Sequence, residues 1–188
     1  MPERGGGHDH IVLIGMMGSG KTSVGRRVAE ALDRPLVDTD TLVEERTGRS
    51  VREIFEAEGE AAFRAIEAEA VADAVAWPEP AVIAAAGGVV LYAASRDHLH
   101  EAGTVVWLSA APETLAGRVR TGDHRPLLGD DPEPVLRRLL EERRDVYEAL
   151  ADAVVVVDDL TTEQVAECVL AVSGHAAITS TPVQGSGS

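Results

Sequence analysis

One string in this chain is suited to phosphate chemistry: Gly15-Met16-Met17-Gly18-Ser19-Gly20-Lys21-Thr22, the pattern G-x-x-x-x-G-K-[ST]. Its glycines let the backbone turn tightly enough for successive N–H groups to point at phosphate oxygens. A helix expected to start near Lys21 adds its positive dipole end, so the loop suits ATP. Lys21 would reach the β- and γ-phosphates, and the Thr22 hydroxyl is of the type that binds Mg²⁺. Gly18, Ser19, Gly20 and Ser23 complete the expected ATP contacts in this stretch. Lys21 is also the single lysine, beside sixteen arginines. The chain uses arginine nearly everywhere a cation will do, and departs from that where a compact ammonium on a flexible stem is needed.

Acidic and basic residues elsewhere could complete a transfer site. Asp38-Thr39-Asp40 closes a predicted strand, and residues two apart on a strand share a face, so both carboxylates could point at one ligand. One could hold a water on Mg²⁺ and the other accept the proton of an attacking hydroxyl. Asp40 could also cap the helix expected after it, a role compatible with the first. Arg64 has helical spacing to Glu60 and Glu67, which suits a surface ion pair as well as an anion contact. Arg125 precedes Pro126-Leu127-Leu128 and reads either as a solvated loop cation or as an anion contact. Arg143 and Arg144 lie beside Glu141, Glu142 and Asp145, a pattern that also describes a charged helix face. Gly87-Gly88 after a strand suggests backbone approached closely by a ligand, or an ordinary turn. The residues themselves point to phosphoryl transfer onto a small, hydroxylated, anionic acceptor, and they do not name it.

The elements that must position these groups follow from periodicity. Short β-branched runs at 11–14, 36–38, 81–85, 104–108 and 153–157 read as strands. Helical patterns lie at 21–32, 41–47, 51–58, 60–76, 93–102, 111–120, 132–151 and 162–172, and Ser50-Val51-Arg52-Glu53 has capping-box spacing. Strands flanked by helices on both sides predict an α/β fold with a mostly parallel sheet covered on both faces. Residues 1–10 and 174–188 read as flexible tails around a single domain at 11–173, with His8 and His10 in the first tail. The stretch 121–131 reads as a surface loop.

Composition excludes other classes. A net charge of −15 disfavours nucleic acid and anionic membranes. Two each of Trp, Tyr and Phe leave too few rings for a base-stacking platform. The lone Cys168 excludes internal disulfides and sits in an apolar helical pattern that predicts a small buried residue. With no signal peptide or membrane-length apolar run, the chain reads as cytoplasmic.

Taken together, the P-loop, Asp38-Thr39-Asp40, Arg46-Thr47-Gly48-Arg49-Ser50, Ile54-Phe55, Glu58-Gly59-Glu60, Phe63-Arg64, Ile66-Glu67, Gly87-Gly88, Arg125-Pro126-Leu127-Leu128, Arg143 and Tyr147 resemble the shikimate kinase family. The resemblance spans about residues 11–172 and is most specific over 36–67. It implies ATP:shikimate 3-phosphotransferase activity on the route to chorismate and the aromatic amino acids, with Mg²⁺ and ATP, in a monomer. It implies a three-layer α/β/α P-loop fold with a five-stranded parallel sheet, an acceptor-binding segment at about 39–70 and a lid at about 120–131. By matching position, Asp40, Arg64, Gly87, Gly88 and Arg143 look like the shikimate contacts, with Arg64 and Arg143 clamping its carboxylate. Asp40 resembles the base, Asp38 the residue that holds Mg²⁺ through water, Arg125 the lid arginine over the phosphates and Arg120 the one that stacks on adenine.

The chain departs from the family pattern where three glycines commonly follow the third strand, since the first is Ala86. It also lacks an arginine near Asp158-Asp159-Leu160-Thr161, and its lid is short. Two alternatives stand beside the resemblance: a kinase of the same fold acting on another hydroxy acid such as gluconate, and a non-catalytic nucleotide-binding regulatory module. Arg125→Ala should lower kcat roughly 10³–10⁵-fold, about 4–7 kcal/mol, in a coupled assay of ADP release. A loss below tenfold would return Arg125 to the solvated loop.

Overall fold

The computed structural model describes residues 9–120 and 131–175. Five strands, β1 (His10–Ile14), β2 (Leu36–Asp38), β3 (Val82–Ala84), β4 (Gly103–Ser109) and β5 (Ala153–Val156), form one sheet in the order β2-β3-β1-β4-β5. All pairings are parallel, with Leu13 opposite both Ala84 and Val106. The central strand β1 is buried along its whole length, as a strand covered on two faces must be, and after His10 its composition is accordingly apolar without alternation.

The helices are α1 (Lys21–Leu32), α2 (Thr39–Thr47), α3 (Val51–Val75), α4 (Ala93–Ala102), α5 (Pro112–Arg120), α6 (Pro132–Leu150) and α7 (Thr162–Val172). Successive side chains of a strand point to opposite faces, which assigns the layers. Gly25 of α1 approaches Leu13, Leu36 and Val82 on one face. Trp107, in register with Ile14 and so pointing the other way, stacks on Tyr147 of α6. The sheet is therefore sandwiched between helices, and the main core runs through both layers. A second, smaller core of Val43, Ile54, Phe63 and Ala70 joins α2 to α3.

Local chemistry explains the ends of these elements. Ser50 and Glu53 form the capping box that starts α3, and Thr161 with Gln164 does the same for α7. The two helices expected on either side of Gly59 are present within α3, separated by a kink where Gly59 takes the non-helical φ 80° and ψ 177°. A Cβ there would meet nothing, so conformation and not room calls for glycine. The run Val89–Leu91 forms a 3₁₀ turn that periodicity over so few residues could not announce. Cys168 is half-buried against the main core, less enclosed than its apolar pattern predicts.

His10 does not belong to a frayed tail. It opens β1, fully buried, with Nδ1 accepting from the Ala81 N–H at 2.9 Å and Nε2 lying 3.3 Å from the Val75 carbonyl. Those partners select the neutral tautomer with its proton on Nε2. The sequence signal failed because an imidazole pairs with backbone groups 65 and 71 residues away. Residues 1–8 with His8, residues 121–130 with Arg125, where a surface loop is expected, and residues 176–188 lie outside the described residues. No described helix is long and apolar enough to cross a membrane.

β4 begins against β1 so closely that a Cβ on Gly103 would strike the His10 carbonyl oxygen and come within 2.7 Å of its nitrogen. Both atoms are backbone in a central strand and cannot give way. Gly103→Ala should therefore destabilise the fold by about 2–3 kcal/mol, measured as a lowered urea midpoint at unchanged m-value.

Candidate active site

The phosphate loop leaves β1 at Ile14 and enters α1 at Lys21. Gly20 is the N-cap of α1 with φ 93° and ψ 14°, a left-handed turn that aims the first free helix N–H groups into the loop. Tight packing holds the loop from outside. A Cβ at Gly15 would lie 2.6 Å from the Leu108 carbonyl oxygen of β4, and one at Gly18 would lie 3.1 Å from the Leu115 carbonyl of α5. Lys21 Nζ donates to the carbonyls of Gly15 (2.9 Å) and Met16 (3.0 Å), so the ammonium lies across the concave side of the turn. The Ser19 hydroxyl is buried within it without a hydrogen-bond partner among the described residues. Ser19, Gly20 and Lys21 thus line the turn between β1 and α1, and Gly18, Thr22 and Ser23 flank them in the chain.

Asp38 and Asp40 differ from expectation. β2 stops at Asp38 and α2 begins at Thr39, so the two carboxylates do not share a strand face. Asp38, and not Asp40, is the N-cap: its Oδ1 accepts from the Asp40 N–H at 3.0 Å. Its other oxygen accepts from the Thr22 hydroxyl at 2.7 Å, which ties α2 to the phosphate loop. Asp40 stands in the first turn of α2, where a negative charge is favoured by the helix dipole. Between them Thr39 is buried, and its hydroxyl accepts from the Ala86 N–H at 2.9 Å. Ala86 packs against the main core, so the methyl that replaces the usual first glycine is absorbed there.

Arg64, on α3, is largely buried at 16% side-chain exposure. Its Nη1 donates to Glu67 Oε2 at 2.7 Å and its Nη2 to Glu60 Oε1 at 3.4 Å. The ion pairs expected from helical spacing form, yet Arg64 is not a surface residue. Burial works against its charge, and the combined attraction of Glu67 and Glu60 still holds its pKa above the ordinary arginine value. Glu67 is buried, and burial raises its pKa further than the pull of Arg64 lowers it, with Asp40 adding repulsion and Arg143 attraction. Asp40, Arg64, Glu67 and Arg143, drawn from α2, α3 and α6, therefore sense one another in one volume.

Arg143 is likewise no part of a charged face: it is 8% exposed, while its neighbour Arg144 is open to solvent. Its Nη1 donates to the Gly87 carbonyl at 3.1 Å. Gly87 in turn lies against the loop, since a Cβ there would sit 3.1 Å from the Gly15 carbonyl oxygen. A Cβ at Gly88 would collide with the Arg64 guanidinium. The glycine pair is thus the surface on which the phosphate loop, Arg64 and Arg143 converge. The Nε atoms of Arg64 and Arg143 are both buried without partners among the described residues. The Arg120 side chain and Arg125 lie outside what the structure describes.

Sequence reasoning passed over Arg118 and gave Tyr147, though part of the family resemblance, no place in the site. Arg118 of α5 donates to the Val157 carbonyl at 2.9 Å and to Gly18 of the loop at 3.5 Å, with no local signal to set it apart from Arg120. Tyr147 donates to the same Gly87 carbonyl as Arg143, at 2.9 Å; its spacing of one helical turn from Arg143 was the available signal.

A phosphate loop after the central strand, a carboxylate at the end of β2, one strand beyond β3, and converging arginines define an ATP-dependent phosphotransferase of the P-loop kinase class. A family model for shikimate kinase matches residues 17–173. Shikimate kinase of Symbiobacterium thermophilum is 51% identical over 159 residues, covering 83% of this chain and 91% of that relative. The structure of shikimate kinase from Acinetobacter baumannii in complex with shikimate superposes with a TM-score of 0.84 at 33% identity, over 91% of this chain and 96% of that one. A gluconokinase from Sinorhizobium meliloti, at 24% identity and a TM-score of 0.61, covers 88% of this chain and 91% of its own and shares the fold. The chain belongs to the shikimate kinase family.

The raised pKa of Glu67 has a pH signature. Its contribution to stability is full below the ordinary value of 4.5 and is lost as pH rises through the raised folded value, because the native state then holds a proton more tightly than the unfolded chain. The stability of the wild type relative to Glu67→Gln should therefore fall as pH increases from about 4.5. Urea midpoints of both proteins between pH 4.5 and 7.5 measure this, and a difference that grew with pH would mean that the Arg64 attraction outweighs burial.

Proposed function

We propose that the protein transfers the γ-phosphoryl group of ATP to the 3-hydroxyl of shikimate. The observation that carries this reading is the pair Arg64 and Arg143, converging from two helices on Gly87-Gly88 beside the phosphate loop, each with a buried Nε still to be satisfied. Planar guanidinium edges suit a carboxylate, and burial strengthens the attraction. A hydroxylated ring anchored by its carboxylate there would present hydroxyls toward Asp40 and the loop.

In this reading the chain's residues divide the work. Backbone N–H groups from Gly18 to Thr22, with Lys21, bind and orient the phosphates and offset charge that develops during transfer. Asp40 holds the ring hydroxyls and accepts the proton of the attacking one. Arg64, Gly87, Gly88 and Arg143 fix the acceptor. Thr22 and Asp38, hard oxygen donors held 2.7 Å apart, fit Mg²⁺, with Thr22 as ligand and Asp38 acting through water. Mg²⁺ when bound neutralises charge on the β- and γ-phosphates. Among the described residues there is no cluster of three or more His, Cys, Asp or Glu to hold a metal, which suits an ion carried mainly by substrate phosphates.

The remaining assignments are part of the same proposal. Residues 39–70 form the acceptor-binding segment of a single kinase domain at 11–173, and 120–131 form its lid. Arg125 closes over the phosphates and Arg120 covers adenine. The working unit is a monomer, since one chain supplies every group invoked, and the cytoplasm is the compartment that suits an ATP-using enzyme.

Coupled assays of ADP release with shikimate and with gluconate test the reading. Turnover with shikimate is expected, and turnover with gluconate alone would overturn it. Arg64→Ala should raise the KM for shikimate roughly 10- to 100-fold, about 1.4–2.8 kcal/mol, with the KM for ATP almost unchanged.

A further inference from the structure

Arg143 and Tyr147 lie one turn apart on α6 and donate to the same atom, the Gly87 carbonyl oxygen, at 3.1 and 2.9 Å. A carbonyl has two lone pairs and can accept both. Tyr147 is fully buried, and its ring stacks on Trp107 with centroids 5.5 Å apart and planes 18° apart, so the phenol cannot swing aside. Its oxygen is 3.7 Å from the Met16 sulfur of the phosphate loop. Burial pushes its pKa up to about 12, so the hydroxyl remains a donor across the neutral range.

From this geometry we infer that Tyr147 is a positioning residue for the acceptor: by holding the Gly87 carbonyl beside Arg143, it aims the Arg143 guanidinium at the acceptor carboxylate. The inference rests on the shikimate reading above. Gly87 lies against Gly15, and the next residue, Gly88, lies against the Arg64 guanidinium. Rotation of its peptide would carry the Nη1 anchor of Arg143 with it and turn the buried Nε edge away from a ligand. Two donors from one rigid helix prevent that rotation, whereas one donor on a flexible side chain would follow it.

Tyr147→Phe removes the hydroxyl and keeps the stacked ring, so the fold should persist with a nearly unchanged Tm. The dissociation constant for shikimate, read by calorimetry, should rise about three- to tenfold while that for ATP changes less than twofold. The same substitution made on Arg143→Met, or on Arg143→Lys should the first background fold poorly, should cost less than twofold, because the residue through which Tyr147 acts is gone. An equal loss in both backgrounds, or a parallel loss of shikimate and ATP binding with a lowered Tm, would overturn the inference. If wild-type protein binds and phosphorylates shikimate but Tyr147→Phe has no effect, the inference fails and the substrate reading survives. If the wild type does not bind shikimate, the substrate reading fails and takes the inference with it.

Discussion

In-register parallel pairing of β2, β3 and β1 is the constraint on which the site depends. Asp38 stands opposite Ala84, and Ala84 opposite Leu13, so all three strands deliver their following residues to one edge of the sheet. Short polar contacts then suffice to join them. Thr22 reaches Asp38, the Ala86 N–H reaches Thr39, and Gly87 packs on the Gly15 carbonyl. A slip of one residue in β3 would invert the faces of that strand and shift Gly87 along the loop. The apolar interior of the sheet thus controls the spacing of charged groups that never touch it.

The second ordering influence is burial of charge. A chain with net charge −15 repels anions on average, and yet the ligands proposed for it are anionic. Local concentration of arginine resolves the conflict. Arg64 and Arg143 are withdrawn from solvent, and Glu67 sits among them with a raised pKa. A buried carboxylate between two guanidinium groups limits their mutual repulsion and restrains Arg64 through a 2.7 Å bond. It also adds repulsion toward Asp40, the residue assigned to accept a proton. Desolvation strengthens each of these terms, which is why residues that look like ordinary surface ions in sequence behave differently once enclosed.

Much of the architecture was legible in advance, for local reasons. Alternating β-branched runs and amphipathic stretches identified all five strands and the order of helices, because periodicity is imposed by whichever face is buried. Ser50 and Glu53 marked a helix start through a hydrogen-bond exchange confined to four residues. The phosphate loop was legible for the same reason, since its function depends on glycine conformations and a helix terminus within eight consecutive residues. The errors share the opposite character. Strand spacing puts Asp38 and Asp40 on one face, but the cap bond from Asp38 to the Asp40 N–H starts the helix two residues earlier than its periodicity predicts. His10 looked like part of a tail because its partners, Val75 and Ala81, are remote in the chain.

The sequence by itself determined that this chain binds nucleotide phosphates on a parallel α/β sheet, and its ordered motifs pointed to the family to which it belongs. Those properties follow from backbone geometry and periodicity, which neighbouring residues specify. Only the tertiary structure decided which arginines are enclosed beside the phosphate loop and which are surface ions. Arg143 and Arg144 are adjacent and chemically identical, but one is enclosed against Gly87 and the other faces water. That choice is made by the rotation of α6 over the sheet, fixed by the stacking of Tyr147 on Trp107, and no residue near Arg143 in the chain encodes it alone.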